Sequence, residues 1–458
     1  MINFIKDGIN ETLFEPVIRL GVTGLSRSGK TVFITNLIAN LMDRGRMVQL
    51  TSAQNGNITS AFLQPQPNDT IARFEYEKHL NDMLGDPPKW PQSTRTISQL
   101  RLSMRVQSNG ILTGLRGPRT VHLDIVDYPG EWLLDLPMLT QSFAEWSEQS
   151  IMRSNEGERT KYAKKWHKLD VDPAVAFEEM SAQNIAGVFT EYLSECREAG
   201  FSACSPGRFL MPGDLKGSPA LTFAPLSGSG GRGSLYREFE RRFEAYKAKV
   251  VKPFFRDHFS RIDRQVVLVD ALGALHSGPQ AVEDLRNTLA DILDCFKTGK
   301  NGFLSALLGK SIEKILFAAT KADHLHHTQH GAMSNIMVAL LRDAKDRAEY
   351  QGASVETMCI AALRTTVEET ITHKNQDLDC VVGTLLDTGQ KAAMYPGELP
   401  NDPMDILRAS VKGAEKWLDG DFSIMRFAPA KVSLKSGDGP PHIRLDRAAE
   451  YLIGDKLL

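Results

Sequence analysis

Gly21-Val22-Thr23-Gly24-Leu25-Ser26-Arg27-Ser28-Gly29-Lys30-Thr31 is the stretch from which the rest of the chain can be read. It holds G-x-x-x-x-G-K-T at Gly24, Gly29, Lys30 and Thr31. The run Val17–Val22 before it predicts a strand, and Thr31–Met42 after it predicts a helix, with apolar residues at helical spacing. Strand, glycine loop and helix in that order are the setting of a phosphate-binding loop. Glycines let the backbone curl so that successive N–H groups point into one concavity at the positive end of the helix. Gly24, Ser26, Arg27, Ser28 and Gly29 would form that cradle, Lys30 would reach the β- and γ-phosphates, and the Thr31 hydroxyl would ligate Mg²⁺. The bland alternative is a Gly/Ser turn, and the flanking elements speak against it.

Downstream, Val121–Val126 predicts a strand that ends on Asp127-Tyr128-Pro129-Gly130, a D-x-x-G where a second strand would meet the nucleotide. Asp127 would hold Mg²⁺ through water and the Gly130 N–H would sense the γ-phosphate. A third strand, Ile315–Ala319, runs into Thr320-Lys321-Ala322-Asp323, which fits the [NT]-K-x-D pattern of guanine readers. An Asp carboxylate accepts hydrogen bonds from N1–H and the exocyclic amine of guanine, whereas adenine has no such donor pair on that edge. ATP would leave that buried acceptor unpaired. Lys321 would lie along the base, and the turn Ala361-Ala362-Leu363, after a strand over 356–360, would offer a backbone N–H to guanine O6. Thr320 stands where most such motifs carry Asn. Each match alone is weak; four in GTPase order, each after a predicted strand, point to GTP or GDP with Mg²⁺, and an ATP-using P-loop protein is the next reading.

Four strings carry a resemblance over essentially the whole length. They are Gly24–Thr31, Asp127-Tyr128-Pro129-Gly130-Glu131-Trp132-Leu133-Leu134-Asp135-Leu136-Pro137, Thr320–Asp323 and the closing Ile443-Arg444-Leu445-Asp446-Arg447-Ala448. The chain resembles the YcjX-like family of bacterial P-loop GTPases associated with stress responses. The resemblance implies a cytoplasmic GTP hydrolase with unusual insertions.

The chain departs from a compact G domain in three ways. About 100 residues separate Gly24 from Asp127, which enlarges the first switch region. Glu131 follows Gly130, where many GTPases place a Gln to orient the attacking water. About 120 residues intervene before the next buried strand, Gln265–Ala271, in a place from which they could sense the nucleotide state. In the first switch, Thr94 is the expected Mg²⁺ ligand, with Thr96 the alternative. The positive charge needed in the transition state would come from Arg95 beside it or from Arg27 in the phosphate loop; in a bland reading both arginines are solvated.

The expected architecture is α/β, a three-layer P-loop NTPase with a large, mostly helical insertion after the second switch and a smaller C-terminal appendage. Residues 1–140 and 263–370 would make the G domain, 141–262 the helical insert, 371–440 the appendage, and 441–458 a helix packing on the G domain. Secondary expectations are a short strand at Met47–Thr51, helix-like material over 71–84, a half-buried strand at Leu100–Val106 and helices over 142–168, 174–199, 281–296 and 332–350. Tyr236, Phe239, Phe243 and Tyr246 share one helix face, read as core before partner groove. The apolar Trp132–Leu136 segment is expected to bury against the insert, with a nucleotide-gated partner surface as the second reading.

Composition sets further bounds. A chain of 458 residues exceeds one hydrophobic core. A formal net charge of −2 argues against a polyanion binder, and Lys161, Lys164, Lys165 and Lys168 read as a solvated helix face. Five cysteines with no C-x-x-C read as reduced thiols. No apolar run approaches a membrane span, so attachment to a membrane would be peripheral. His324, His326, His327 and His330 suggest metal by number, yet lack a Cys or H-E-x-x-H partner and read as a solvated loop. A protein partner would meet the second switch or the insert. Against the GTPase stands a GTP-binding scaffold with negligible hydrolysis, which Glu131 favours.

Overall fold

The computed structural model describes residues 15–25, 28–92, 96–107, 118–295, 312–350, 353–400, 402–412, 424–432 and 434–458. Its centre is an eight-stranded sheet built from β1 (Val17–Gly24), β2 (Ile58–Gln64), β3 (Ala72–Arg73), β4 (Ser98–Val106), β5 (Arg119–Asp127), β6 (Arg264–Val269), β7 (Lys314–Ala319) and β8 (Ser354–Cys359). The order is β2-β4-β5-β1-β6-β7-β8, with β3 pairing beside β4. Strands β5, β1, β6, β7 and β8 run parallel, while β4 and β2 are antiparallel additions at one side. The chain leaves β1 towards β5 on one side and β6 on the other, so the crevice of an open α/β sheet lies at the carboxyl end of β1.

Helix α1 (Lys30–Met42) starts at that end and covers one face of the sheet. Its Phe33, Ile34, Leu37, Ile38 and Leu41 pack with Leu445, Ala449, Leu452 and Ile453 of a closing helix, Leu445–Ile453. The opposite face carries one continuous hydrophobic cluster. It runs from Trp132, Leu133 and Leu136 through Trp146, Phe189, Phe223, Phe243 and Tyr246 to helices Pro279–Cys295 and His330–Tyr350. No strand occurs between Asp127 and Arg264, where helices Phe143–Ser154, Arg159–His167, Glu179–Glu198 and Leu235–Tyr246 dominate. The aromatic face of the last of these is buried, as its spacing implies: Phe239, Phe243 and Tyr246 are inaccessible to solvent.

Several elements differ from expectation, each for a visible reason. Met47–Thr51 is not a strand. The Gln49 and Thr51 N–H groups donate to the carboxylates of Asp446 and Glu450, and Thr51–Gln54 is a helical turn. The β4 strand is buried on both faces, Arg105 apart, and two of its polar residues find internal partners. Arg101 makes a two-pronged bond to Asp124 at 2.6 and 2.9 Å, and the Ser103 hydroxyl bonds to Gln64 and His122. The helix expected over 142–168 is two helices, and that expected over 174–199 begins only at Glu179, whose neighbour Glu178 caps it. A three-stranded antiparallel sheet, β9 (Val367–His373), β10 (Gln376–Thr384) and β11 (Lys391–Met394), occupies what reads as irregular chain. Among the described residues no helix is long and apolar enough to cross a membrane. Lys161, Lys164, Lys165 and Lys168 are all exposed.

Candidate functional site

The loop after β1 obeys tight steric limits. Gly29 has φ +77, a left-handed conformation that costs a residue with a Cβ, and it caps α1. A Cβ on Gly130 would lie 2.1 Å from the Gly24 carbonyl oxygen, and one on Gly24 would lie 2.0 Å from the Ser28 hydroxyl. The D-x-x-G turn therefore rests directly on the phosphate-loop backbone, and neither glycine admits a side chain. Lys30 Nζ donates to the Tyr128 carbonyl at 3.0 Å and sits 3.0 Å from Asp127 Oδ1. That second contact has ion-pair distance without hydrogen-bond angle, so neither oxygen of Asp127 is hydrogen-bonded although the residue is 1% exposed. A buried carboxylate with open lone pairs beside this loop fits a hydrated Mg²⁺, and Thr31 lines the cleft in front of the loop.

That cleft has a volume of about 420 Å³. Its lining includes Gly24, Ser28, Gly29, Lys30 and Thr31 of the loop, Glu131, Thr320, Lys321 and Asp323, and Ala361, Ala362 and Leu363. The structure thus brings together most of the residues that the sequence singles out. Gly130 and Asp127 sit behind the loop and are not part of the lining. Ser26, Arg27, Thr94 and Arg95 lie outside the described residues.

At the far end, Asp323 is 4% exposed. Its Oδ2 accepts from the Thr365 N–H at 2.9 Å and from the Thr365 hydroxyl at 2.7 Å, while Oδ1 lies 3.3 Å from His324 Nδ1. Burial works against the charge, but His324 and the Thr365 donors outweigh it and hold the carboxyl below its usual range. The site therefore presents an ionised acceptor with one oxygen pinned by Thr365. Lys321 adopts a left-handed backbone (φ 62) and its ammonium pairs with Asp270. The Ala361 N–H donates to the Ile443 carbonyl at 3.0 Å, so it is not free for the guanine O6 expected of that turn.

The chain after Gly130 is a 3₁₀ helix, Gly130–Thr140, buried over most of its length. The Trp132 indole N–H donates to the Met211 carbonyl at 3.2 Å, its ring meets Phe254 edge-on at 5.2 Å, and the Arg208 guanidinium stacks over it at 3.1 Å. Asp135 accepts from the Tyr246 hydroxyl at 2.5 Å, the Gly207 N–H at 2.7 Å and the Ser205 hydroxyl at 3.1 Å. Burial is the main influence and lifts its carboxyl to about 6 in spite of those donors. Glu131 reaches 3.8 Å from Arg197 of helix Glu179–Glu198. The segment after D-x-x-G is thus fastened to the helical region by packing, a cation–π contact and a buried carboxylate.

The sequence reading missed several cleft residues. Thr365 stands two positions beyond the Ala-Ala-Leu turn, and nothing but that proximity marks it. Trp90, Leu386, Ile424, Arg426 and Phe427 also line the cleft, and the Trp90 indole donates to the Phe427 carbonyl at 2.8 Å. The wall they form depends on a distant segment meeting β10, which no local pattern discloses. The four histidines are also not a solvated loop: His324, His326 and His330 are buried, and His330 Nε2 lies 2.8 Å from the Ala322 carbonyl.

The sequence profile of the YcjX-like family, DUF463, matches residues 18–457. The chain belongs to the YcjX-like family. A relative from Escherichia coli K12, the Ras-like GTPase YcjX, is 39% identical over 457 residues, which is 96% of each chain. A second Ras-like GTPase YcjX, from Shewanella oneidensis, is 35% identical over 467 residues, covering 96% of this chain and 94% of the relative. The parallel-rich α/β sheet with helices on both faces fits a P-loop GTPase.

Proposed function

We propose that this chain binds guanine nucleotide and hydrolyses GTP to GDP and phosphate with Mg²⁺. The observation that carries the reading is one cleft lined by a phosphate loop, an ionised and buried Asp323, and the Ala361–Leu363 turn. The names of the YcjX-like relatives agree with it. Asp323 Oδ1 would take the guanine donor pair, Thr365 would hold the carboxylate in place, and Lys321 would lie along the base. Lys30 would exchange its contacts with Asp127 and Tyr128 for the terminal phosphates. Mg²⁺, held by Thr31, by Thr94 and through water by Asp127, supplies positive charge at the β- and γ-phosphates when bound.

Glu131 lines the cleft and would orient the attacking water; a carboxylate accepts the water's proton where an amide only positions it. Arg95 and Arg27 remain the arginines proposed to neutralise transition-state charge, and Arg426 joins them as a cleft-lining candidate. Release of γ-phosphate would free Gly130 from Gly24, and the Trp132 and Asp135 anchors would pass that shift to the helical insert, residues 141–262. A protein partner would read the change there, and a cytoplasmic role in a stress response follows the family resemblance. A GTP-binding scaffold with negligible turnover is the second reading, favoured by Glu131 replacing Gln and by its approach to Arg197.

Equilibrium binding of GTP, GDP and ATP to the same preparation tests the assignment. GTP and GDP should bind at least about 100-fold tighter than ATP, the scale set by an unpaired buried acceptor. Equal affinities for GTP and ATP would remove the guanine-reader role from Asp323.

A further inference from the structure

The loop that leaves the base-reading end of the cleft, His324-Leu325-His326-His327, lays two imidazoles against Glu368 of β9. We propose that His326, His327 and Glu368 form a site for one divalent transition-metal ion of the zinc class, with Asp379 as the residue that orients His326. His327 Nδ1 lies 2.8 Å from Glu368 Oε2, and His326 Nε2 lies 3.8 Å from the same oxygen. One ligand atom from each residue falls within 4.8 Å of the others. A tetrahedral ion with bonds of about 2.1 Å needs ligand atoms about 3.4 Å apart, so the 2.8 Å contact would open, the 3.8 Å contact would close, and the two ring nitrogens would settle to that spacing around the ion.

The surroundings are arranged as such a site requires. Glu368 Oε1 accepts the His327 backbone N–H at 3.1 Å, which turns Oε2 towards both rings. The far nitrogen of His326 has its own partners: Nδ1 lies 2.9 Å from the Thr328 hydroxyl and 3.6 Å from Asp379 Oδ2. Asp379 Oδ1 accepts from the Thr370 hydroxyl at 3.2 Å across the β9–β10 pair, leaving Oδ2 for the ring. The Thr328 hydroxyl bonds that far nitrogen and the Asp379 carboxylate sets a negative charge 3.6 Å from it, an outer shell that orients a ligating imidazole. The nearest competing cation, Arg364, stands 3.9 Å from Oε1, the oxygen turned away. Two imidazoles and one carboxylate select Zn²⁺ or Co²⁺ over Mg²⁺ or Ca²⁺. The His327 side chain is 65% exposed, so an ion reaches the site from solvent and keeps water in its open position. Such an ion would tie the loop carrying Asp323 to the small sheet on which Phe427 of the cleft wall packs. This site is independent of the guanine assignment.

The test is a titration of tag-free, chelator-stripped protein with Co²⁺, read by the ligand-field absorption of the tetrahedral ion, and with Zn²⁺ by calorimetry, both at pH about 7.5. One equivalent should bind, and Zn²⁺ should displace Co²⁺. His327→Ala, at an exposed position, should keep its metal-free melting temperature and lose the absorption; Glu368→Gln should weaken binding strongly. Asp379→Asn should weaken it about tenfold, the scale of an outer partner. No saturable absorption in the unmodified protein, or equal binding by His327→Ala, overturns the proposal.

Discussion

Asp127 is a buried carboxylate whose oxygens no hydrogen bond reaches, with the Lys30 ammonium 3.0 Å from Oδ1. In the proposed function its open lone pairs would meet the water shell of Mg²⁺. Thr31→Ala should therefore leave the fold intact and make nucleotide binding much less dependent on Mg²⁺. A Mg²⁺ titration of nucleotide affinity checks it, and a curve superimposable on that of the parent would remove Thr31 from metal binding. At the other end Thr365 donates twice to Asp323 Oδ2, which leaves Oδ1 beside His324 and, in the proposed function, for the base. Thr365→Ala should weaken GTP and GDP binding together by about 1–2 kcal/mol, the scale of a lost bond to a charged acceptor; calorimetry on both nucleotides reads it. At this scale the sequence was most informative. Lys30, Thr31, Asp127 and Asp323 sit in patterns whose chemistry prescribes the residue type, whereas Thr365 and Arg426 act through contacts that sequence spacing does not encode.

The 3₁₀ helix Gly130–Thr140 is the element through which nucleotide and helical insert would communicate, and Asp135 is its deepest anchor. Its folded carboxyl titrates near 6, against an unfolded value of about 4, so folding takes up a proton between those limits. Stability from this group is complete below pH about 4 and lost as pH rises through about 6, a contribution of about 3 kcal/mol at the outside. Asp135→Asn removes the titration. The difference in melting temperature between parent and variant should shift in the variant's favour from pH 4 to pH 6 and stay level above that; a difference independent of pH would show that Asp135 folds with an ordinary pKa. The strength of this anchoring was half legible. Trp132, Leu133 and Leu136 announce burial by their apolarity, but only the folded chain reveals that Gly207 and Tyr246 meet Asp135.

For the whole molecule, the parallel core was legible because β6 and β7 carry apolar runs and β1, β5, β7 and β8 lead into a motif or a turn, although β5 and β8 alternate apolar and polar residues. The exceptions have two causes. The Met47–Thr51 segment and Arg101 of β4 are held by side chains outside their own segments, Asp446, Glu450 and Asp124, whereas β9–β11 is a local antiparallel meander whose strands are too polar and exposed to read as buried strands. Local periodicity cannot report those outside partners. The cleft inherits the same limit: the wall next to the base comes from Trp90 and from residues 424–427, over three hundred positions apart, joined by the indole bond to Phe427.

The central claim is that one cleft both selects guanine and hydrolyses its triphosphate, and single-turnover hydrolysis by the parent and Asp323→Asn tests it most directly. With enzyme in excess and Mg²⁺ present, the parent should convert GTP to GDP and leave ATP and xanthosine triphosphate essentially unchanged. Asp323→Asn exchanges an acceptor for a donor, so it should lose GTP turnover by about 30–100-fold at subsaturating concentration and gain xanthosine triphosphate turnover. GTP hydrolysis unaffected by the substitution, with no gain for xanthosine triphosphate, would contradict the account.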